Sequence, residues 1–162
     1  MAAAIRAPRT YVTEGFQGTL GFGFPTALGV KAAHPDRAVA CITGDGGFMF
    51  AAQELATAAQ EGIALVTLLF NNNAYGNVLR DQKLGFGGRI IGAALRNPDF
   101  LAFAAAFGIE AHRVDSPQAL RPVLARALKA KKPVLIEIAV LQGSETSPWE
   151  FIHPRPGAGS KP

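Results

Sequence analysis

Apolar positions along this chain fall into two kinds of run. Short stretches, "RAVACIT" (37–43), "IALVTLLF" (63–70) and "KPVLIEIAV" (132–140), are apolar on successive positions, and "IEAHRV" (109–114) is a more polar member of the set. Longer stretches rich in helix formers alternate with them: "PTALGVKAA" (25–33), "MFAAQELATAAQEG" (49–62), "NPDFLAFAAAFG" (97–108) and "SPQALRPVLARALKA" (116–130). The first kind predicts strands buried on both faces, since a strand with one wet face would alternate polar and apolar residues. The second predicts helices. Pro25 sits near a first turn, where a missing N–H costs little. Gly62 and Gly108 close two of the helices. Asn97–Pro98 supplies an N-cap with proline at N1, and Ser116–Pro117 repeats that start.

Strands alternating with helices predict an α/β fold with an open, mostly parallel sheet and helices on both faces, joined by right-handed crossovers. "GFQGTLGFGFP" (15–25) is a glycine-rich loop, "NVLRDQ" starts another helix, and "KLGFGGRIIGAAL" (83–95) reads as a flexible excursion. There is no internal repeat. The organisation expected is a lead-in over 1–14, one domain over 15–142, and a tail over 143–162 rich in Pro, Gly and Ser with a disordered end.

Composition narrows the classes. A chain of 162 residues suits one domain and can bury roughly two-thirds of its unfolded surface. Its 49% hydrophobic content excludes a disordered chain. A net charge of +4 favours anionic ligands. The basic residues are scattered apart from Lys129, Lys131 and Lys132, and no basic stripe with interleaved aromatics marks a nucleic-acid binder. The single Cys41 permits no intrachain disulfide and no CxxC metal pattern, so a buried thiol is expected. "MAAAIRAPRT" lacks the apolar core of a signal peptide, and no apolar run approaches the about 18 residues of a membrane span. A cytoplasmic location follows as the expectation. His34, His112 and His153 match no metal spacing, and Trp149 and Phe151 are expected to anchor the tail.

Two predicted strands end in oxygen-bearing turns, "GDGGFMF" (44–50) and "NNNAYGN" (71–77). Ligands of open parallel sheets bind outside the carboxyl ends of the strands. If these two strands are neighbours, Asp45 and Asn72 face one crevice. A carboxylate, an amide oxygen and a main-chain carbonyl form a hard-oxygen set suited to magnesium, which takes its remaining ligands from phosphate and water. Gly46 and Gly47 let backbone amides approach a phosphate, and the following helix adds its positive end. The competing local reading is a plain turn in which Asp45 caps the next helix.

"GDGGFMFAAQELATAAQEGIALVTLLFNNNAYG" resembles the thiamine-diphosphate motif, with its GDG start, helix–strand interval and NN end. Upstream, "GTLGFGFPTALGVKAA" resembles the pyrimidine-ring loop of the decarboxylase and acetolactate synthase group. The resemblance runs from about Pro8 to Val140. It implies that Asp45 binds magnesium through its carboxylate, Asn72 through its amide oxygen and Ala74 through its main-chain carbonyl. It implies that amides near Gly46, Gly47, Gly76 and Asn77 hold the diphosphate, with Tyr75 in the same cofactor-binding segment. Leu20 matches the bulky residue that props the cofactor in its V shape. The main chain of Gly18 and Leu20 would bond the pyrimidine, with Thr19 between them. For Leu20 the competing reading is ordinary core packing.

The same resemblance implies what is missing. The group activates its cofactor with a glutamate from a pyrimidine-binding domain, contributed across a subunit interface. Neither Glu14 nor Glu54 matches that glutamate, and the first strand–helix unit before the "GTLG" loop is lacking. The chain is therefore expected to be catalytically incomplete alone. Its partner would be a pyrimidine-binding domain in the same longer chain or a separate subunit of a homo- or hetero-oligomer. The substrate would be a small 2-keto acid, with Arg80 or Arg89 available to its carboxylate. Exposed apolar surface and self-association are expected where the partner is absent. Two rival functions stand beside this one: a non-catalytic cofactor-binding or assembly module, and a dinucleotide-binding domain. The latter rests on "GFGFPT" and Asp45, but Thr26 takes the third glycine place and "NNNAYG" is left unexplained.

Overall fold

The computed structural model describes residues 7–13 and 18–144. Glu14, Trp149, Phe151 and His153 lie outside the described residues, and with them the expected tail anchor. Four strands, β1 (Ala40–Gly44), β2 (Val66–Asn71), β3 (Glu110–Val114) and β4 (Val134–Ala139), form one sheet in the order β1-β2-β4-β3. Every pairing is parallel. Around it lie α1 (Gly23–Ala33), α2 (Asp45–Met49), α3 (Leu55–Gln60), α4 (Gly76–Gly85), α5 (Phe100–Ala106) and α6 (Pro117–Ala127). Among the described residues no helix is long and apolar enough to cross a membrane.

Strand residues alternate between two covered faces, as a sheet sandwiched by helices requires. On one face Cys41, Leu69 and Leu135 pack with Phe24 and Leu28 of α1, Phe48 of α2, Leu55 and Ala58 of α3, and Phe100 and Ala104 of α5. On the other, Val66, Leu68, Val114, Val134, Ile136 and Ile138 pack against Leu120, Val123, Leu124 and Ala127 of α6. Phe48 is the pin of the first layer. Its ring meets Phe24 edge-on at 5.2 Å and Phe100 at 6.0 Å, and such pairs add about 0.5–1.5 kcal/mol beyond burial. That pin fixes α2, and so the residues that begin it.

Coverage stops short at β1. α6 does not reach it, and Ile42 in mid-strand is 64% exposed, with Ala40 exposed beside it. An open groove of about 1100 Å³ runs between β1 and α1, lined in part by Tyr11, Phe22, Thr26, Val30 and Ile42. No strand pairs with the outer edge of β1 among the described residues.

Three sequence expectations change in detail. The helix over 49–62 is three pieces: α2, a tight turn at Ala52–Glu54, and α3. Ala51 leaves helical geometry (φ −139°, ψ 21°), so α2 can follow the strand end while α3 turns Leu55 and Ala58 into the core. Asn97 is not the cap of α5. Asp99 is, accepting from the amides of Leu101 (2.9 Å) and Ala102 (3.3 Å). The excursion over 83–95 is tethered at several points. Gln82 bonds both the carbonyl (3.0 Å) and the amide (3.1 Å) of Ile91, and Ala94 forms an antiparallel bridge with Ala74.

Candidate functional site

β1 and β2 are neighbours in register, with Gly44 opposite Phe70, so the turns that follow them share one end of the sheet. Asp45 begins α2 and is 2% exposed. Its Oδ2 accepts one bond, from Asn97 Nδ2 at 2.6 Å. Among the described residues it has no ion pair with Lys, Arg or His. A carboxylate withdrawn from water needs compensation larger than one neutral amide. The turn reading fails at one point, because the Asp45 side chain caps no helix and lies inside α2 rather than before it.

The second turn is built from asparagines. Asn71 Oδ1 accepts from the Asn73 amide at 3.1 Å and Asn72 Oδ1 from the Ala74 amide at 3.0 Å. Asn73 takes φ 55°, a left-handed conformation that asparagine tolerates. An amide oxygen has two lone pairs, so the bond to Ala74 does not by itself exhaust Asn72. Ala74 is buried and bridged to Ala94, but the two bonds of that bridge belong to its neighbours: Tyr75 N–H to Ala93 and Leu95 N–H to the Asn73 carbonyl. The Ala74 carbonyl accepts no backbone bond among the described residues. Asp45, Asn72 and Ala74 thus offer carboxylate, amide and carbonyl oxygens from adjoining strand ends, which suits a hard divalent cation. No cluster of three or more His, Cys, Asp or Glu competes as a metal centre among the described residues.

Glycine positions follow from close packing. A Cβ on Gly46 would lie 2.6 Å from Cδ1 and Cε1 of Tyr75, so the Tyr75 ring rests directly on the α2 start and joins the two turns. Gly47 is roomier, with Leu20 Cδ2 3.8 Å from its virtual Cβ. Gly76 and Asn77 open α4, where first-turn amides have no acceptor inside the helix. The positive end expected after β1 is weaker than a long helix would give, since α2 has five residues.

Gly18 (φ 61°), Thr19 and Leu20 are exposed. Leu20, at 47% exposed and beside Gly47, is not a core residue. Gly21, read from the sequence only as the first glycine of "GFGFPT", has a packing role: with φ 87° and a virtual Cβ 2.9 Å from Phe50 Cβ, it presses this loop onto the end of α2. Arg80 pairs with its neighbour Asp81 at 3.8 Å and Arg89 is exposed, and neither bonds to the oxygen cluster. His112 pairs with Glu110 at 2.7 Å, on β3 at the far edge of the sheet.

The residues most clearly missed lie beneath the cluster. Asn97 Nδ2 reaches Asp45 Oδ2, Asn71 Oδ1 (2.9 Å) and Asn73 Oδ1 (3.3 Å). Asn71 Nδ2 donates to Glu137 Oε1 at 2.8 Å, and Glu137 Oε2 accepts from Arg113 Nε at 2.8 Å. Glu137 is 4% exposed in the middle of β4. A lone charge inside "VLIEIA" was the available signal. The carboxylate of Glu137 raises the Arg113 pKa, mainly by hydrogen bonding and then by charge. Asp99 is held below its ordinary value chiefly by the Ala102 and Leu101 amides it caps.

Comparison with known proteins gives one answer. Residues 1–138 match the family described as thiamine pyrophosphate enzyme, C-terminal TPP binding domain. The probable acetolactate synthase large subunit of Methanococcus aeolicus is 41% identical over 143 residues, 88% of this chain and 24% of the relative. The acetolactate synthase large subunit of Haemophilus influenzae is 39% identical over 146 residues, 89% of this chain and 26% of the relative. Among solved structures, the thiamine diphosphate-dependent 4-hydroxybenzoylformate decarboxylase of Rhodococcus jostii RHA1 superposes with a TM-score of 0.72 at 32% identity, covering 78% of this chain and 24% of that one. The chain thus spans about a quarter of the length of the relatives it matches. With its parallel sheet and its strand-end oxygen cluster, it belongs to the thiamine pyrophosphate enzyme family, as a C-terminal TPP binding domain.

Proposed function

We propose that this chain binds thiamine diphosphate through magnesium, as the diphosphate-binding domain of a 2-keto acid decarboxylase or carboligase of the acetolactate synthase type. The observation that carries the reading is the buried Asp45 carboxylate, which among the described residues has one amide and no cation for company and stands beside the Asn72–Ala74 turn. Asp45, Asn72 and Ala74 hold the metal through carboxylate, amide and carbonyl oxygens. Amides of Gly46, Gly47, Gly76 and Asn77 take the diphosphate, with Tyr75 locking the two turns together. Leu20 would support the cofactor, and the main chain of Gly18 and Leu20, with Thr19 between them, would meet its pyrimidine. When bound, the cofactor supplies a nucleophilic carbon for making or breaking a C–C bond next to a carbonyl. This chain binds and orients it.

The activating glutamate is assigned to a pyrimidine-binding domain, in the same longer chain or in another subunit, so the chain alone turns over no substrate. The acetolactate synthase names of the relatives and their greater length support this division. So do the exposed Ile42 and the groove beside β1, which leave surface for further chain in a homo- or hetero-oligomer. A small 2-keto acid is the substrate class that goes with it, and the cytoplasm is the proposed location of the protein. Calorimetry of thiamine diphosphate binding, with and without magnesium and with the pyrimidine-binding partner present, tests the reading. Magnesium-dependent binding is expected, and Asp45→Ala should weaken it at least about 100-fold, since even residues behind metal ligands cost about 10–100-fold. No binding by the well-folded complex refutes the cofactor assignment, and undiminished affinity in Asp45→Ala refutes the metal site. Turnover on adding the partner separates an enzyme component from a non-catalytic module.

A further inference from the structure

We infer that Asn97 is a positioning residue that sets how Asp45 presents itself to the metal, and that Glu137 and Asn71 fix Asn97 in that role. The inference rests on the magnesium reading above. Its first ground is polarity. Glu137 bonds Arg113 through one oxygen and Asn71 Nδ2 through the other. An ionised carboxylate only accepts, so Asn71 must turn its amide nitrogen toward Glu137 and its oxygen toward Asn97. Asn97 must then present its nitrogen, and that nitrogen also meets the Asp45 carboxylate. The two carboxylates at the ends of the relay leave each amide one orientation.

The second ground is geometry. Asn97 Nδ2 carries two hydrogens, and its two shortest contacts are Asp45 Oδ2 at 2.6 Å and Asn71 Oδ1 at 2.9 Å, ahead of Asn73 at 3.3 Å. Asp45 Oδ2 is therefore engaged by the protein, while Oδ1 has no bonding partner among the described residues. A carboxylate tied by one oxygen offers the other to a cation and resists two-oxygen chelation. One-oxygen binding suits magnesium, which demands a near-octahedral shell; calcium accepts two-oxygen carboxylates and larger shells. Asn97 thus acts as a selector for the smaller ion. It is free for this work because Asp99, not Asn97, caps α5.

The test compares the wild-type chain with Asn97→Ala and Asn97→Ser, each assembled with its pyrimidine-binding partner. Magnesium and calcium are titrated separately by calorimetry at saturating thiamine diphosphate, and thermal unfolding is followed in parallel. In Asn97→Ala, magnesium affinity should fall about 10–100-fold while calcium affinity falls much less, so that the calcium-to-magnesium ratio rises at least fivefold. Asn97→Ser, too short to span to Asp45, should show the same shift; it also serves if the alanine variant does not fold. Glu137→Gln, which removes the acceptor-only end of the relay, should move the ratio in the same direction by less. A ratio unchanged in both Asn97 variants overturns the inference, as does an equal loss for both ions accompanied by lower thermal stability. Those results would leave the parent reading intact. Absence of any magnesium-dependent binding by the wild type would overturn both.

Discussion

Gly46 offers a direct measure of how tightly the two strand-end turns are joined. Replacing it with alanine places a methyl 2.6 Å from two carbons of the Tyr75 ring and 3.3 Å from Leu95 Cδ1. The contacts are to Cδ1 and Cε1, the body of a rigid ring whose backbone is fixed between the bridged Ala74 and the start of α4, so it yields less readily than a flexible side-chain end. Overpacking of this kind costs about 1–3 kcal/mol. Against it, alanine in a helix is worth up to about 1 kcal/mol more than glycine, and Gly46 lies within α2 at a backbone conformation that imposes no strain. The net cost is about 0–2 kcal/mol, which lowers Tm by up to about 8 °C for a chain of this length. The decisive assay is a double-mutant cycle. In a Tyr75→Ala background Gly46→Ala should become neutral or mildly stabilising, a coupling of about 1–3 kcal/mol. If the glycine substitution costs the same with and without the ring, the packing argument is wrong and Gly46 is needed for another reason.

Burial pushes the Cys41 thiol up to about 12, so the folded chain should resist iodoacetamide at neutral pH and react only on unfolding; rapid labelling at pH 7 without loss of structure would contradict this. The hydrogen bonds that lower the Asp99 and Glu110 pKa values below their ordinary 3.8 and 4.5 should make stability drop in acid. The sign is that of depressed carboxylates: their contribution is complete above those ordinary values and is lost as pH falls through the lower folded ones. Asp99→Asn, which keeps a cap but cannot titrate, should flatten the dependence of Tm on pH below about 4; an unchanged slope would remove Asp99 from the account. Arg113→Met leaves Glu137 buried without its cation and should destabilise by about 1–3 kcal/mol in chemical denaturation; a neutral result would mean that Asn71 alone satisfies the carboxylate.

Much of the sheet could be read from the chain, because strands covered on both faces leave near-continuous apolar runs, as at Val66–Asn71, and at Val134–Ala139 with only Glu137 breaking it. The position of Asp45 and Asn72 at neighbouring strand ends follows from the same logic once β1 and β2 pair. What resisted reading was decided by tertiary partners. "NPD" offers two residues able to cap α5, and propensity cannot choose between them. The choice falls to Asp99 because Asn97 is drawn to Asp45 and Asn71. The break at Ala51 has no signal in a run of good helix formers, since it arises where α2 and α3 must serve different neighbours. Gln82 pins Ile91 by bonds across nine residues that leave no periodic trace.

The edge of β1, left without a neighbouring strand among the described residues, has a consequence for the chain handled by itself. An unpaired edge presents a row of amides and carbonyls ready to template another strand, and at its centre stands Ile42 with no lysine or proline within the strand to discourage stacking. Produced by itself at high concentration, the chain carries a ready seed for intermolecular β-sheet, and its soluble yield should fall steeply with concentration. A single gatekeeping charge, Ile42→Lys, would relieve that hazard without touching the oxygen cluster.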